Sequence, residues 1–307
     1  MATVIGVSVG ADGAVWCADS AGNLYMRVGS EWKRNPTAKA TEVAVGSASH
    51  VWCRNADGHV FKLQGANFDS GWSEDPVASL VKQSIAAGSD GTVWVVNTKG
   101  ELVKLENGQW KHNPTGKNAV EVSVGDANNV WCRNNLGQVF RLSASAADSR
   151  WLPDTVPGLP VASIGAGNDG AVWVVNTKGE LFTKDGPTWR MNDKGKAVQI
   201  SVGNRNLVWC VNAAGEIFHA QANDWNTFWV KVAPPAGLPG PRHYTVREGD
   251  KSLLAILRKE YPGTVEADVV RRADRVARLN KWPGTLQDNY GGFAQRMQPG
   301  DVLILEA

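Results

Sequence analysis

The chain has 307 residues, with 32 Lys and Arg against 30 Asp and Glu and a formal net charge of +2. A balance this even lacks the basic excess of an electrostatic nucleic-acid binder, and 43% hydrophobic residues exclude global disorder. No apolar run approaches the ~18 residues of a membrane span, and the opening MATVIGVSVGADG has no basic stretch leading into a long apolar one, so no secretory signal is read there and the location stays open between the cytoplasm and non-classical export.

From the N-terminus one unit recurs six times. The dipeptide Val-Trp places Trp16, Trp52, Trp94, Trp131, Trp173 and Trp209 at intervals of 36, 42, 37, 42 and 36 residues. A second set, Trp32, Trp72, Trp110, Trp151, Trp189 and Trp229, falls between them, so that only Trp225 and Trp282 lie outside the pattern. Each unit opens on a short Gly-terminated strand, such as VSVG at 7–10 and 122–125 or ISVG at 200–203. The Val-Trp strand follows, then a turn, a strand such as HVFKL or QVFRL, and a last strand at the second tryptophan. Four short strands in about 40 residues is the period of a β-propeller blade. The turn after each Val-Trp strand carries Gly22, Gly58, Gly100, Gly137, Gly179 or Gly215. Asp19, Asn55, Asn97, Asn134, Asn176 or Asn212 stands three residues earlier. Glycine supplies positive φ and the short side chain bonds the turn backbone, which is hairpin chemistry. The alternating spacing makes a pair of blades the larger repeat. VWVVNTKGELVKL at 93–105 returns as VWVVNTKGELFTK at 172–184.

The SVG-x-DG-x-VW strand pairs, the N-x-x-G turns and the strand-end tryptophans over 4–232 resemble the tectonin family of β-propeller lectins. The resemblance implies an all-β six-bladed β-propeller of four-stranded antiparallel blades over 1–232, with a role in recognising glycans.

APPAGLPGPR (233–242) is a Pro/Gly-rich linker. Beyond it, 243–250 reads as a strand and turn, SLLAILRKEY (252–261) and VEADVVRRADRVARLN (265–280) as helices, and the end as a turn and strand, in the order βααβ. Tyr244 to Asp250, Asn280 and the terminal Pro299 to Ile304 make 243–307 resemble a LysM domain. The segment departs from that pattern by one extra residue in Gly249-Asp250-Lys251-Ser252-Leu253 and by a long stretch from Trp282 to Arg296. The resemblance implies binding of N-acetylglucosamine polymers such as peptidoglycan or chitin, through a groove that Gly249, Asp250, Ser252, Asn280 and Trp282 would border.

Two catalytic-looking motifs fail on context. Gly6-Val7-Ser8-Val9-Gly10 is one copy of a propeller strand, not a strand-to-helix elbow. The glycines of 165–170 lead into another strand, not a helix N-terminus. Cys17, Cys53, Cys132 and Cys210 fall in different units at a spacing that suits buried free thiols rather than disulfides. The histidines lack ligand spacing, so neither a metal nor a cofactor is expected. No acid, base and nucleophile converge, and the chain is expected not to be an enzyme.

Glycan recognition needs a flat apolar ring to stack on a sugar, with planar polar groups beside it. EWKRNP (31–36), QWKHNP (109–114) and TWRMND (188–193) offer Trp32 with Arg34, Trp110 with His112 and Trp189 with Arg190. Arg54, Asn55, Arg133 and Asn134 recur in alternate blades as further polar candidates. The Val-Trp set reads as core; the second set reads either as interblade wedges or as partly exposed platforms. The expected function is a multivalent carbohydrate-binding protein for cell-surface glycans. The alternative is a protein–protein scaffold, such as a part of a phage-like injection assembly.

Overall fold

A computed structural model describes residues 3–75, 82–116, 118–158, 160–236, 242–245, 253–260 and 302–306. Six four-stranded antiparallel sheets follow one another along the chain. Blade 1 holds β1 (Val4–Val9), β2 (Val15–Asp19), β3 (Asn23–Val28) and β4 (Glu31–Lys39). Blade 2 holds β5 (Glu42–Ser47), β6 (His50–Arg54), β7 (Val60–Leu63) and β8 (Trp72–Glu74). Blade 3 holds β9 (Lys82–Ala87), β10 (Val93–Asn97), β11 (Leu102–Glu106) and β12 (Gln109–His112). Blade 4 holds β13 (Ala119–Val124), β14 (Val130–Asn134), β15 (Val139–Leu142) and β16 (Trp151–Asp154). Blade 5 holds β17 (Val161–Ala166), β18 (Val172–Asn176), β19 (Leu181–Asp185) and β20 (Thr188–Asn192). Blade 6 holds β21 (Gln199–Asn204), β22 (Leu207–Val211), β23 (Ile217–Ala220) and β24 (Trp229–Val232). The first strands of the blades neighbour one another around the ring and line a central cavity of ≈ 180 Å³.

The hairpin chemistry read in the sequence is present in all six turns. Their glycines take φ between 73° and 81°. Asp19 Oδ1 accepts the N–H groups of Ala21 and Asn23 at 2.9 and 2.7 Å, and Asn97, Asn134 and Asn176 repeat the pattern. A second glycine requirement appears only between blades. A Cβ on Gly46 would fall 1.9 Å from Gly88 O, one on Gly125 2.2 Å from the Gly167 carbonyl carbon, and one on Gly203 2.4 Å from Gly10 O. The inner strands meet backbone to backbone at those points.

The core lies between blades rather than within them. Trp16 and Leu24 of blade 1 cluster with Val51 and Leu63 of blade 2, and the other clusters likewise span neighbouring blades. The Val-Trp tryptophans are all buried. Four of them meet a second-set tryptophan of the next blade edge to face: Trp16–Trp72, Trp94–Trp151, Trp131–Trp189 and Trp173–Trp229, at 5.7–6.4 Å between centroids. Such pairs add about 0.5–1.5 kcal/mol beyond their buried area. The four cysteines are buried and free, and burial raises each thiol pKa, with Asp19 adding to the effect at Cys17.

The ring closes without exchanging a strand, since blade 1 is built from residues 4–39 and blade 6 from 199–232. Side chains join the two ends. Gln199 accepts from Val7 N–H at 3.1 Å and donates to Val7 O at 3.0 Å, while Ser201 Oγ accepts from Val9 N–H and Asn204 donates to Ala11 O.

The chain divides into two compact units. One comprises Val4–Asn212 with Glu216–Gly237; the other comprises Leu238–Ala307 with Met1–Thr3 and Ala213–Gly215. In the second, β25 (Arg242–Thr245) pairs antiparallel with β26 (Val302–Glu306), and α1 (Leu253–Glu260) buries Leu253, Ile256 and Leu257. The expected helix at 265–280 lies outside the described residues, so the full βααβ order is not supported. No described helix is long and apolar enough to cross a membrane.

Candidate functional site

The grooves between blades are built on a threefold scheme. Odd blades grip the even blade that follows through an asparagine on the fourth strand or directly after it. Asn35 Nδ2 donates to Phe68 O and Ser70 O, Asn113 to Ala147 O and Ser149 O, and Asn192 to Trp225 O and Thr227 O, all at 2.7–3.1 Å. Each is buried to within 1% exposure, so it holds the loop before the next fourth strand in one place. On the inner side Asp12, Asp90 and Asp169 each cap their own turn with one oxygen. The other oxygen accepts the N–H of Ala48, Ala127 or Arg205 in the next blade.

Even blades grip the odd blade that follows through a carboxylate or amide at the inner strand. Glu42 accepts from Ser84 Oγ and Ile85 N–H, and Glu121 from Ser163 Oγ and Ile164 N–H. Their second oxygens pair with Arg54 at 2.9 Å and Arg133 at 2.5 Å. Burial pushes the Glu42 carboxyl above its usual pKa, with Arg54 pulling it back. At the outer end Asp75 accepts from Trp110 Nε1 at 2.9 Å and Asp154 from Trp189 Nε1 at 2.8 Å.

This wiring places the residues singled out from the sequence. Arg54 and Arg133 hold the interblade carboxylates. Asn55 Oδ1 accepts from His59 N–H in its turn, and Asn134 bonds Leu136 and Gln138 in the same way. Trp32 is buried at the ring closure, its Nε1 donating to Ala233 O at 2.8 Å. Trp110 and Trp189 are half-buried wedges, so the two readings of the second set merge: one edge is packed and the rest is partly open. Arg34 and His112 are exposed two residues beyond their tryptophans, and His112 Nε2 lies 3.6 Å from Glu101. Trp189 and Arg190 separate. Successive strand residues face opposite sides, so Trp189 meets Trp131 of blade 4 while Arg190 lies over Trp225 of blade 6, 5.5 Å from its ring centre. Gly249, Asp250, Ser252, Asn280 and Trp282 lie outside the described residues.

Trp225 is the residue that sequence reasoning passed over. It is 39% exposed, Phe228 three residues on is 61% exposed, and Lys194 lies over the Phe228 ring. At the same loop position the other even blades carry half-buried Phe68 and buried Ala147. Its signal was its place outside the twelve-tryptophan pattern.

A Tectonin domain model matches residues 3–82 and 118–234, nearly two thirds of the chain and every blade of the propeller but the third. The chain belongs to the tectonin domain family. The match ends short of the C-terminal unit, whose LysM resemblance rests on its sequence motifs alone. No curated protein matches the chain. Among solved structures, the tectonin propeller is similar to virginiamycin B lyase from Staphylococcus aureus, at 16% identity and TM-score 0.53, covering 79% of this chain and 87% of that one. A streptogramin B lyase gives 18% identity and TM-score 0.54, covering 81% and 89%. Yeast RCC1 (Prp20), solved with Kap60, gives 11% and 0.52, covering 76% of each chain. At these identities the likeness is one of fold alone. It corrects one expectation: the exclusion of enzymatic activity does not stand, because propellers of this shape include lyases.

Proposed function

We propose that this tectonin propeller is a carbohydrate-binding protein and that its grooves between blades receive sugar rings. The observation that carries the reading is Trp225, an exposed indole backed by the Arg190 guanidinium on a loop pinned by Asn192. A rigid ring with polar neighbours suits the C–H face of a sugar at small entropic cost. The half-buried wedges Trp110, with exposed His112 two residues on along the same strand, and Trp189 supply weaker sites that add through avidity. The LysM-like unit would engage an N-acetylglucosamine polymer such as peptidoglycan or chitin, a reading supported by its motif and by the pairing of its two terminal strands.

A glycan array, with chitin and peptidoglycan pull-down, tests both modules. Trp225→Ala should weaken array binding about tenfold, the equivalent of 1.4 kcal/mol. No binding in any format overturns the proposal. A second reading, a protein scaffold, is favoured by the apolar exposure of Met191, Phe228 and Val230 on blades 5 and 6. A stoichiometric protein partner on purification from the native host, lost on Phe228→Ser, would support it.

A further inference from the structure

The three even-to-odd interfaces carry the same positions, and they differ in charge. Leu105, Lys184 and Arg27 pair in register with Trp110, Trp189 and Trp32. Asp75, Asp154 and Val232 occupy one position of the preceding blade, set by register with Val60, Val139 and Ile217. Between blades 2 and 3 these positions hold a carboxylate and no cation, and Asp75 serves the indole alone. Between blades 4 and 5 the cation has its carboxylate: Lys184 Nζ is 2.5 Å from Asp154 Oδ2 and lies over both Trp131 and Trp189. At the closure between blades 6 and 1 the cation is present and the carboxylate is gone. Trp32 turns to the backbone carbonyl of Ala233 instead.

Among the described residues, Arg27 is therefore a half-buried guanidinium without an acidic partner. It lies over Trp32 at 5.8 Å and over Trp209 at 5.3 Å, and Trp209 packs on the His219 ring at 5.4 Å. The rings cover the guanidinium and Nε donates to Gly29 O at 3.1 Å. Nη1 is buried with no hydrogen-bond partner. With Nε taken by Gly29 O and Nη1 closed off, Nη2 is the donor left to reach a carboxylate, through one charge-assisted hydrogen bond. We infer that the seam between blades 6 and 1 is a carboxylate-binding site, occupied by the carboxylate of an acidic sugar such as a uronic acid. The choice of a sugar rests on the carbohydrate-binding reading; the carboxylate does not.

Calorimetry with glucuronate, glucose and acetate tests it on the full chain. Glucuronate should bind at least tenfold more tightly than either glucose or acetate. Val232→Asp installs the carboxylate that Asp154 supplies one interface earlier. It should abolish glucuronate binding and raise the melting temperature by roughly 2–4 °C. Arg27→Leu, which copies Leu105, should abolish binding while keeping the fold, checked by circular dichroism. Glucuronate binding that persists in either folded variant overturns the site. Acetate binding as tightly as glucuronate overturns the acidic sugar. A null glycan array with glucuronate still lost on Val232→Asp would sink the lectin reading and leave the carboxylate site standing.

Discussion

The interface between blades 4 and 5 and the seam between blades 6 and 1 occupy equivalent places in the ring, yet they are held differently. The first uses Glu121 with Arg133 and Asp154 with Lys184, two ion pairs in a half-buried setting. The seam has Gln199, Val211 and Val232 at the positions of Glu121, Arg133 and Asp154. Glu and Arg are lost together. A carboxylate without its arginine would be stranded, whereas a neutral amide with a valine leaves nothing unpaired. The amide also does what the carboxylate cannot. Gln199 both accepts from and donates to Val7, residues 192 positions apart, so a closure without strand exchange gains a two-way backbone clamp.

Five variants break or sharpen this contrast. Removing one partner should cost most: Arg133→Val leaves Glu121 uncompensated and should destabilise by about 3–5 kcal/mol in denaturant titration. Gln199→Glu puts an unpaired carboxylate at the seam and should cost about 2–3 kcal/mol at pH 7. Its pH dependence has a fixed sign. Burial raises the Glu42 carboxyl even beside Arg54, so a lone carboxyl introduced at position 199 should be raised further. The folded state then binds the proton more tightly than the unfolded one. Stability should recover as pH falls through the raised value toward the usual ~4.3. An unchanged stability gap between mutant and wild type from pH 7 to pH 4 would show that the position is solvated. Gly125→Ala and Gly203→Ala press a methyl on backbone at both interfaces and should each cost about 1–3 kcal/mol, whatever the local charge. The smallest effect belongs to the double change Glu121→Gln with Arg133→Val, which copies the seam into blade 4. It should stay within about 1.5 kcal/mol of wild type; a loss as large as that of Arg133→Val alone would refute the idea that the two arrangements are interchangeable.

Each blade was legible in the sequence because its signals are local. The six glycines, the Asx residue three positions before each, and alternation along VFKL or VFRL act over a handful of residues, and backbone geometry alone fixes what they build. The burial of the Val-Trp tryptophans and of the four thiols followed from the same repeat. The candidate site was less legible, since its contacts between consecutive blades join residues 33 to 43 positions apart, as in Asn35 to Phe68 or Glu121 to Ile164. Pattern placed Arg54 and Arg133 among ligand candidates, but tertiary contact committed them to carboxylates of their own blade. It put Trp189 beside Arg190 in a line of text, while the pleat sent them to different grooves.

What the sequence determined by itself is the number of blades, the strands within each and the conformation of every Val-Trp hairpin turn, because period and turn chemistry are properties of short segments. What only the tertiary structure decided is how blades are joined, which tryptophan stays open and where a cation is left without its acid. Those depend on which side chain arrives from the neighbouring blade, and at the seam that neighbour lies at the other end of the propeller's chain.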